Sequence, residues 1–198
     1  MTEPLFKSAH EALTFAFNFS SQQAARSLML QLAAPGKGGG KGLGGLDGAG
    51  QAGMIKQEVA SLGRLHEAVL TARFAPQSLD CSCRSDCCSK KKKNWEWVHA
   101  VAWLADHMRT IALFGTNANS IMRTEYVKRY FTPKGAKTNL DKLADAWGVA
   151  NNTVSAHNSR VVALFGGQPK KGEKEAIKGL DELAMTAAED QLRKVGLI

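Results

Sequence analysis

The chain has 198 residues, 44% of them hydrophobic and 22% charged, with a formal net charge of +8 and four cysteines. That is enough for one domain or two small ones, and the apolar fraction excludes a disordered or fibrous chain. No apolar run reaches the roughly 18 residues of a membrane-spanning helix, and the first residues lack the charged-then-apolar order of a secretion leader, so the expectation is a cytoplasmic protein without a membrane partner.

The first segment, 1–34, reads as an N-terminal helix over 5–33, where Leu13, Ala16, Phe17, Ala24 and Leu28 recur at helical spacing. Residues 35–50 begin with Pro35 and are dominated by glycine, whose backbone entropy opposes both helix and strand, so they read as a flexible loop. Residues 51–115 read as a helical region that contains a cysteine motif at 81–88. Its first helix covers 51–74, with Ile55, Val59, Leu62, His66, Val69 and Leu70 on one side, and Ala75-Pro76 stops it. Its second runs from an Asn94 cap to about Phe114, with a regular face of Trp97, Val101, Leu104, Ala105, Met108 and Ile111. Trp95, Trp97 and Trp103 mostly read as core at this spacing, although aromatics can also stack on single-stranded bases.

Residues 116–165 hold a helix over 120–131, a basic turn at 132–137 and a helix-turn-helix over 139–164. Residues 166–198 read as a linker and a last helix over 173–195. No stretch shows strand alternation and no internal repeat is visible. The expected fold class is therefore all-α: a helical bundle with a small Cys-rich loop and a C-terminal helix-turn-helix.

The helix-turn-helix reading rests on offsets. Ala144 is the small residue where two helices cross closely, and Gly148, four positions on, suits the positive φ of the turn. Leu143, Trp147, Val149 and Val154 fill the inner apolar places, and Val161 continues them. With the second helix in a major groove, Asn151, Asn152, Ser155 and Ser159 would meet base edges, asparagine being able to bond adenine in bidentate fashion. Thr153, Arg160, Lys134, Lys137 and Lys142 would meet phosphates, which fix register and carry no sequence information. Charge agrees with this location. Residues 81–171 hold fifteen Lys/Arg against six Asp/Glu, whereas 1–80 and 172–198 are near neutral. A basic middle implies an anionic partner, and double-stranded DNA is the expected one. The run Lys90, Lys91, Lys92 and Lys93 belongs to the same stretch as a further phosphate contact.

Cys81, Cys83, Cys87 and Cys88 lie within eight residues. So tight a cluster staples no distant segments, which favours thiolate ligation of a metal over a disulfide framework. A structural zinc ion closed by sulfur and imidazole ligands fits the residue types, with His99 as a substitute should adjacent Cys87 and Cys88 not both reach it. A free thiol cluster and disulfides stay open as alternatives. A glycine-lysine run at 36–42 lacks the spacing and the hydroxyl of a phosphate loop. No nucleophile, base and orienting acid stand at a recognisable spacing, so no enzymatic activity is expected.

The segment Thr153-Val154-x-x-His157 resembles the second helix of LuxR-type and sigma-factor region 4 helix-turn-helices. Ala72 through Cys88, Asn94 through Trp103 and Tyr126 through Val161, in that order, resemble the late-gene antitermination (Q-type) proteins of lambdoid phages. The resemblance implies a regulator in a bacterial host that binds DNA near a late promoter, loads onto paused RNA polymerase and suppresses termination. An ordinary activator or repressor acting by DNA occupancy, and a phage inhibitor of a host protein, are the alternative expectations.

Overall fold

The computed structural model describes residues 4–19, 45–81, 83, 88–169 and 176–198. Among them are eight α-helices and one two-stranded antiparallel hairpin. The chain divides into two compact units, one of Met1–Pro76 with Met185–Ile198, the other of Gln77–Ala184. No helix among the described residues is long and apolar enough to cross a membrane.

In the first unit, α1 spans Ala9–Asn18. Its start is a capping box: Ser8 Oγ accepts from the Glu11 N–H, and the Glu11 carboxylate accepts from the Lys7 N–H. The helix therefore begins at Ala9, after the predicted position 5. It ends at extended Phe19, and the predicted continuation beyond that residue lies outside the described residues. A second helix, α2, covers Gly45–Ser61. The expected loop over 35–50 is thus overturned at 45–50. Gly48, Ala52, Ile55 and Val59 are buried at helical spacing, and α2 packs on α1. Packing of that face outweighs the entropic cost of the glycines.

The single helix predicted over 51–74 is two helices. Gly63 at φ 89° breaks it, and α3 follows at Arg64–Phe74, packing on both α1 and α2. Its end at Ala75 is where the following proline requires it. The Asn18 side-chain amide donates to the Phe74 carbonyl at 3.2 Å and joins the ends of α1 and α3. Ala188 and Leu192 are buried near the C-terminus, and Gln191 donates to the Glu58 carboxylate of α2 at 2.6 Å.

The second unit opens with strands that the sequence reading missed, β1 Ser78–Asp80 and β2 Lys91–Lys93, paired as Ser78↔Lys93, Leu79↔Lys92 and Asp80↔Lys91. Asn94 then caps α4, Trp95–Thr110, accepting from the Glu96 N–H, while its own N–H donates to the Gln77 carbonyl. Trp97, Ala100, Val101, Leu104, Ala105 and Met108 bury one face against α5, Ser120–Phe131. Expectation and structure part here at two places. The helix stops at Thr110 and leaves Ile111 half exposed, and Trp95 points away from the core at 61% exposure. Arg123 of α5 is buried, and its guanidinium donates to the carbonyls of Ala105 and Ala118 at 3.0 and 2.7 Å and to Asp106 at 3.3 Å.

A 3-10 turn at Lys134–Ala136 leads to α6, Leu140–Trp147, and then to α7, Asn151–Gly166. Beyond α7 the chain doubles back through a Gln168↔Ile177 bridge. Gly167 and Gly179 face each other's backbone there so closely that a Cβ on either would collide with main-chain atoms. The last helix, α8, spans Leu180–Lys194, a later start than the predicted 173.

Candidate functional site

The three-helix corner of α5, α6 and α7 is assembled from short-range rules. Asn139 caps α6 by accepting from the Asp141 N–H at 3.0 Å. At the other end Gly148 takes the left-handed conformation, φ 61° and ψ 33°, and its N–H together with that of Val149 returns to the last carbonyls of α6. Three residues, Gly148 to Ala150, therefore separate the two helices. Along α7 the buried positions are Val154, His157, Val161 and Phe165, one face at helical spacing. That face and Leu143 and Ala144 of α6 are buried in this corner, where α7 packs on both α5 and α6. Tyr126 of α5 is fully buried at the centre, with Trp147 and His157 rings edge-on at 5.6 and 5.9 Å between centroids.

The opposite face of α7 is mostly polar in its first turns and carries exposed Val162 further on. Asn151, Asn152, Thr153, Ser155, Ser159 and Arg160 are all exposed. They are not equivalent. Asn151 donates its amide to the Asp141 carboxylate of α6, and the Ser159 hydroxyl donates to the Ser155 carbonyl at 2.9 Å. Asn152 makes no side-chain hydrogen bond among the described residues, so both its donor and its acceptor are available at once. Ala156, which the sequence reading passed over, is exposed on the same face and presents a methyl group beside Asn152.

Lys134 and Lys142 are exposed and Lys137 is half-buried. Partial burial, then the charges of Arg129 and Lys134, lower the Lys137 pKa from its ordinary value. Arg129 therefore belongs to this basic cluster, and its guanidinium also donates to the Thr138 carbonyl. The missing signal for Arg129 was three-dimensional, because it lies on α5 and reaches the turn before α6.

His157 is buried, and with its proton on Nε2 it accepts at Nδ1 from the Tyr126 hydroxyl at 3.4 Å. Burial pushes the tyrosine up to about 12, so the phenol stays protonated. Burial, and secondarily the charge of Arg160, lowers the histidine from its ordinary value. As pH falls, the unfolded chain takes up this proton first. Stabilisation is complete above about pH 6.5 and is lost below it, by no more than about 1.4 kcal/mol per pH unit. His157→Gln is expected to remove that component. Urea unfolding of both proteins at about pH 7.5 and 5.5 measures it, and equal acid sensitivity would contradict the assignment.

The second cluster sits at the open end of the hairpin. The Cys81 N–H donates to the Lys90 carbonyl at 2.9 Å and extends the β1–β2 ladder by one residue. The sulfurs of Cys81, Cys83 and Cys88 lie within 4.8 Å of one another, a group that can hold a metal ion. Lys90 is left-handed, φ 61°, and its backbone N–H hydrogen-bonds to the Cys88 sulfur. Cys88 is nevertheless raised from its ordinary pKa, chiefly through a hydrogen bond with the Cys83 thiol. Three thiols this close cannot all ionise without a cation among them.

Cys87 lies outside the described residues. His99 is not among the three close donors; its ring stands against Trp95 at 5.9 Å. Lys90, Lys91, Lys92 and Lys93 are all exposed, with Lys91 paired to Asp80 at 2.6 Å. Compared with protein-family models, characterised proteins and solved structures, the chain matches none.

Proposed function

We propose that the corner of α5, α6 and α7 is a helix-turn-helix and that the protein is a sequence-specific regulator of transcription that binds double-stranded DNA. The observation that carries this reading is the division of α7 into a buried row and an exposed row that is polar over its first turns, held across a three-residue turn by Gly148. Asn152 is the principal base-reading residue, and Asn151 sets the angle of α7 on α6 through Asp141. Thr153, Arg160, Lys134, Lys137, Lys142 and Arg129 hold phosphates.

Asn152→Ala is expected to weaken binding to the selected site by about 1–3 kcal/mol while leaving random duplex unaffected. Gel shifts on both DNAs test it after selection of bound fragments from a genome. Equal losses on the two would remove Asn152 from base reading, and failure to select any fragment at low salt would remove the function itself.

Zinc is the proposed metal for the thiol cluster. An all-sulfur donor set suits it, and the Lys90 N–H is aimed at a sulfur as a thiolate requires. Cys81, Cys83 and Cys88 would hold the ion, with Cys87 or His99 completing the set. Its contribution would be structural, tying the end of the hairpin that carries the lysines. Bound zinc with three thiolates has one net negative charge, which the neighbouring lysines offset.

The resemblance to Q-type antitermination proteins extends the proposal to RNA polymerase as a partner. The expected assay result is increased readthrough of a terminator by purified polymerase on a selected fragment. A changed initiation rate alone would favour an ordinary activator or repressor.

A further inference from the structure

We propose that Lys92, Lys93, Trp95 and His99 form a second nucleic-acid site, separate from α7, that takes single-stranded DNA. Trp95 is 61% exposed although Trp97, two residues on, is 5% exposed and fills the core. Of the three tryptophans of this helix, Trp97 fills the core, Trp103 is half-buried and Trp95 is presented to solvent. His99, one turn later, stands against Trp95 at 5.9 Å with the rings inclined by 42°. The indole thus presents an exposed ring beside an imidazole.

Directly before it runs β2, whose lysines are exposed. One residue, Asn94, joins strand to helix, and it is buried, bonded to Gln77 and capping α4. The backbone that carries the lysines and the backbone that carries the indole are thus joined in a fixed relation. Lys91 is engaged by Asp80, which leaves the phosphate contact chiefly to Lys92 and Lys93.

The surroundings decide the class of partner. An aromatic anchor for a protein partner sits among apolar neighbours that exclude water. The exposed residues that flank Trp95 in sequence are instead Lys93, Glu96 and His99, with half-buried Val98 the apolar residue three positions on. A polymer that alternates flat rings with negative charge matches a cation beside an indole, and the lysines outnumber Glu96. A duplex hides its base faces in the stack, whereas an unpaired strand offers them to the ring. The choice of DNA over RNA rests on the proposed duplex-binding role of the same unit.

The test titrates the reduced full-length chain with a labelled oligothymidylate of about 12 nucleotides and follows anisotropy over a range of salt. Trp95→Ala is expected to weaken binding by about 5-fold to 100-fold, and Trp95→Phe by much less. An abasic strand of the same length should bind the unaltered protein as poorly as oligothymidylate binds the alanine variant. Changing Lys92 and Lys93 to glutamine should reduce the salt slope by about 1.4. Trp95 lies outside the core, so circular dichroism of the variants should match the parent. Unchanged affinity in Trp95→Ala, or equal binding of the abasic strand, would overturn the proposal, as would tighter binding of oligouridylate than of oligothymidylate. Asn152→Ala should leave strand binding intact. A chain that selects no duplex yet binds oligothymidylate through Trp95 therefore loses the helix-turn-helix reading alone.

Discussion

Arg123→Met is expected to lower the stability of the 77–184 unit by about 3 kcal/mol, most of it from two carbonyls and little from the ion pair. The side chain of Asp106 is 77% exposed, so its pairing with Arg123 is worth less than about 1 kcal/mol. The Ala105 and Ala118 carbonyls, by contrast, receive charged donors in the interior between α4 and α5. Each such bond contributes about 1.5–3 kcal/mol, partly offset by the cost of burying the guanidinium. Methionine fills much of the volume but leaves the Ala118 carbonyl without its Arg123 donor. Asp106→Asn is the control and should cost under about 1 kcal/mol. All four tryptophans, Trp95, Trp97, Trp103 and Trp147, lie in this unit, so their fluorescence in urea reports its unfolding and not that of its neighbour. Equal losses in the two variants would mean that the ion pair dominates after all.

Removing metal is expected to have an effect of similar size or larger. The reduced protein should carry about one zinc per chain. Where free zinc stood near a thousand times its dissociation constant, chelation should lower the stability of the 77–184 unit by about 4 kcal/mol. Loading should release about two to three protons per ion, because the thiols must become thiolates, and affinity should fall with pH for the same reason. Cys81→Ser, Cys83→Ser and Cys88→Ser should each abolish tight binding, and Cys87→Ser separates a fourth sulfur ligand from a site closed by His99. Metal analysis and tryptophan fluorescence are the measurements. Less than half an equivalent of zinc in protein purified under mild conditions would count against the metal and for a free thiol cluster.

Some of this was legible in the residues and some could not be. The expected bounds of 120–131 are those of α5, which the structure shows capped by Asn119 and ended before Pro133. Both helices around Gly148 were readable for a similar reason, since caps and a positive-φ turn are local events. The hairpin was not. Its strands are three residues long, and their partners are separated by the whole cysteine segment. Gly45–Gly50 failed in the opposite sense, because propensity argued for a loop and the packing of Gly48 and Ala52 won. Trp95 and Trp97 look alike in a periodicity scan, which cannot decide which side of a helix a second helix will cover. In the candidate site the exposed row of α7 was visible as the complement of the buried row. That Asn151 is engaged by Asp141 while Asn152 is not depends on how α6 crosses α7.

The first unit is built from both ends of the chain, 1–76 and 185–198, with the other unit threaded between them. On the ribosome this imposes an order. The N-terminal helices emerge first, yet Gln191, the partner of Glu58, is made only after all of 77–184. The intervening 77–184 can complete its own contacts while Glu58 still waits for Gln191. The unit begun first is thus completed only after its neighbour has been made, and the segment from Met185 onward closes it like the clasp on a necklace.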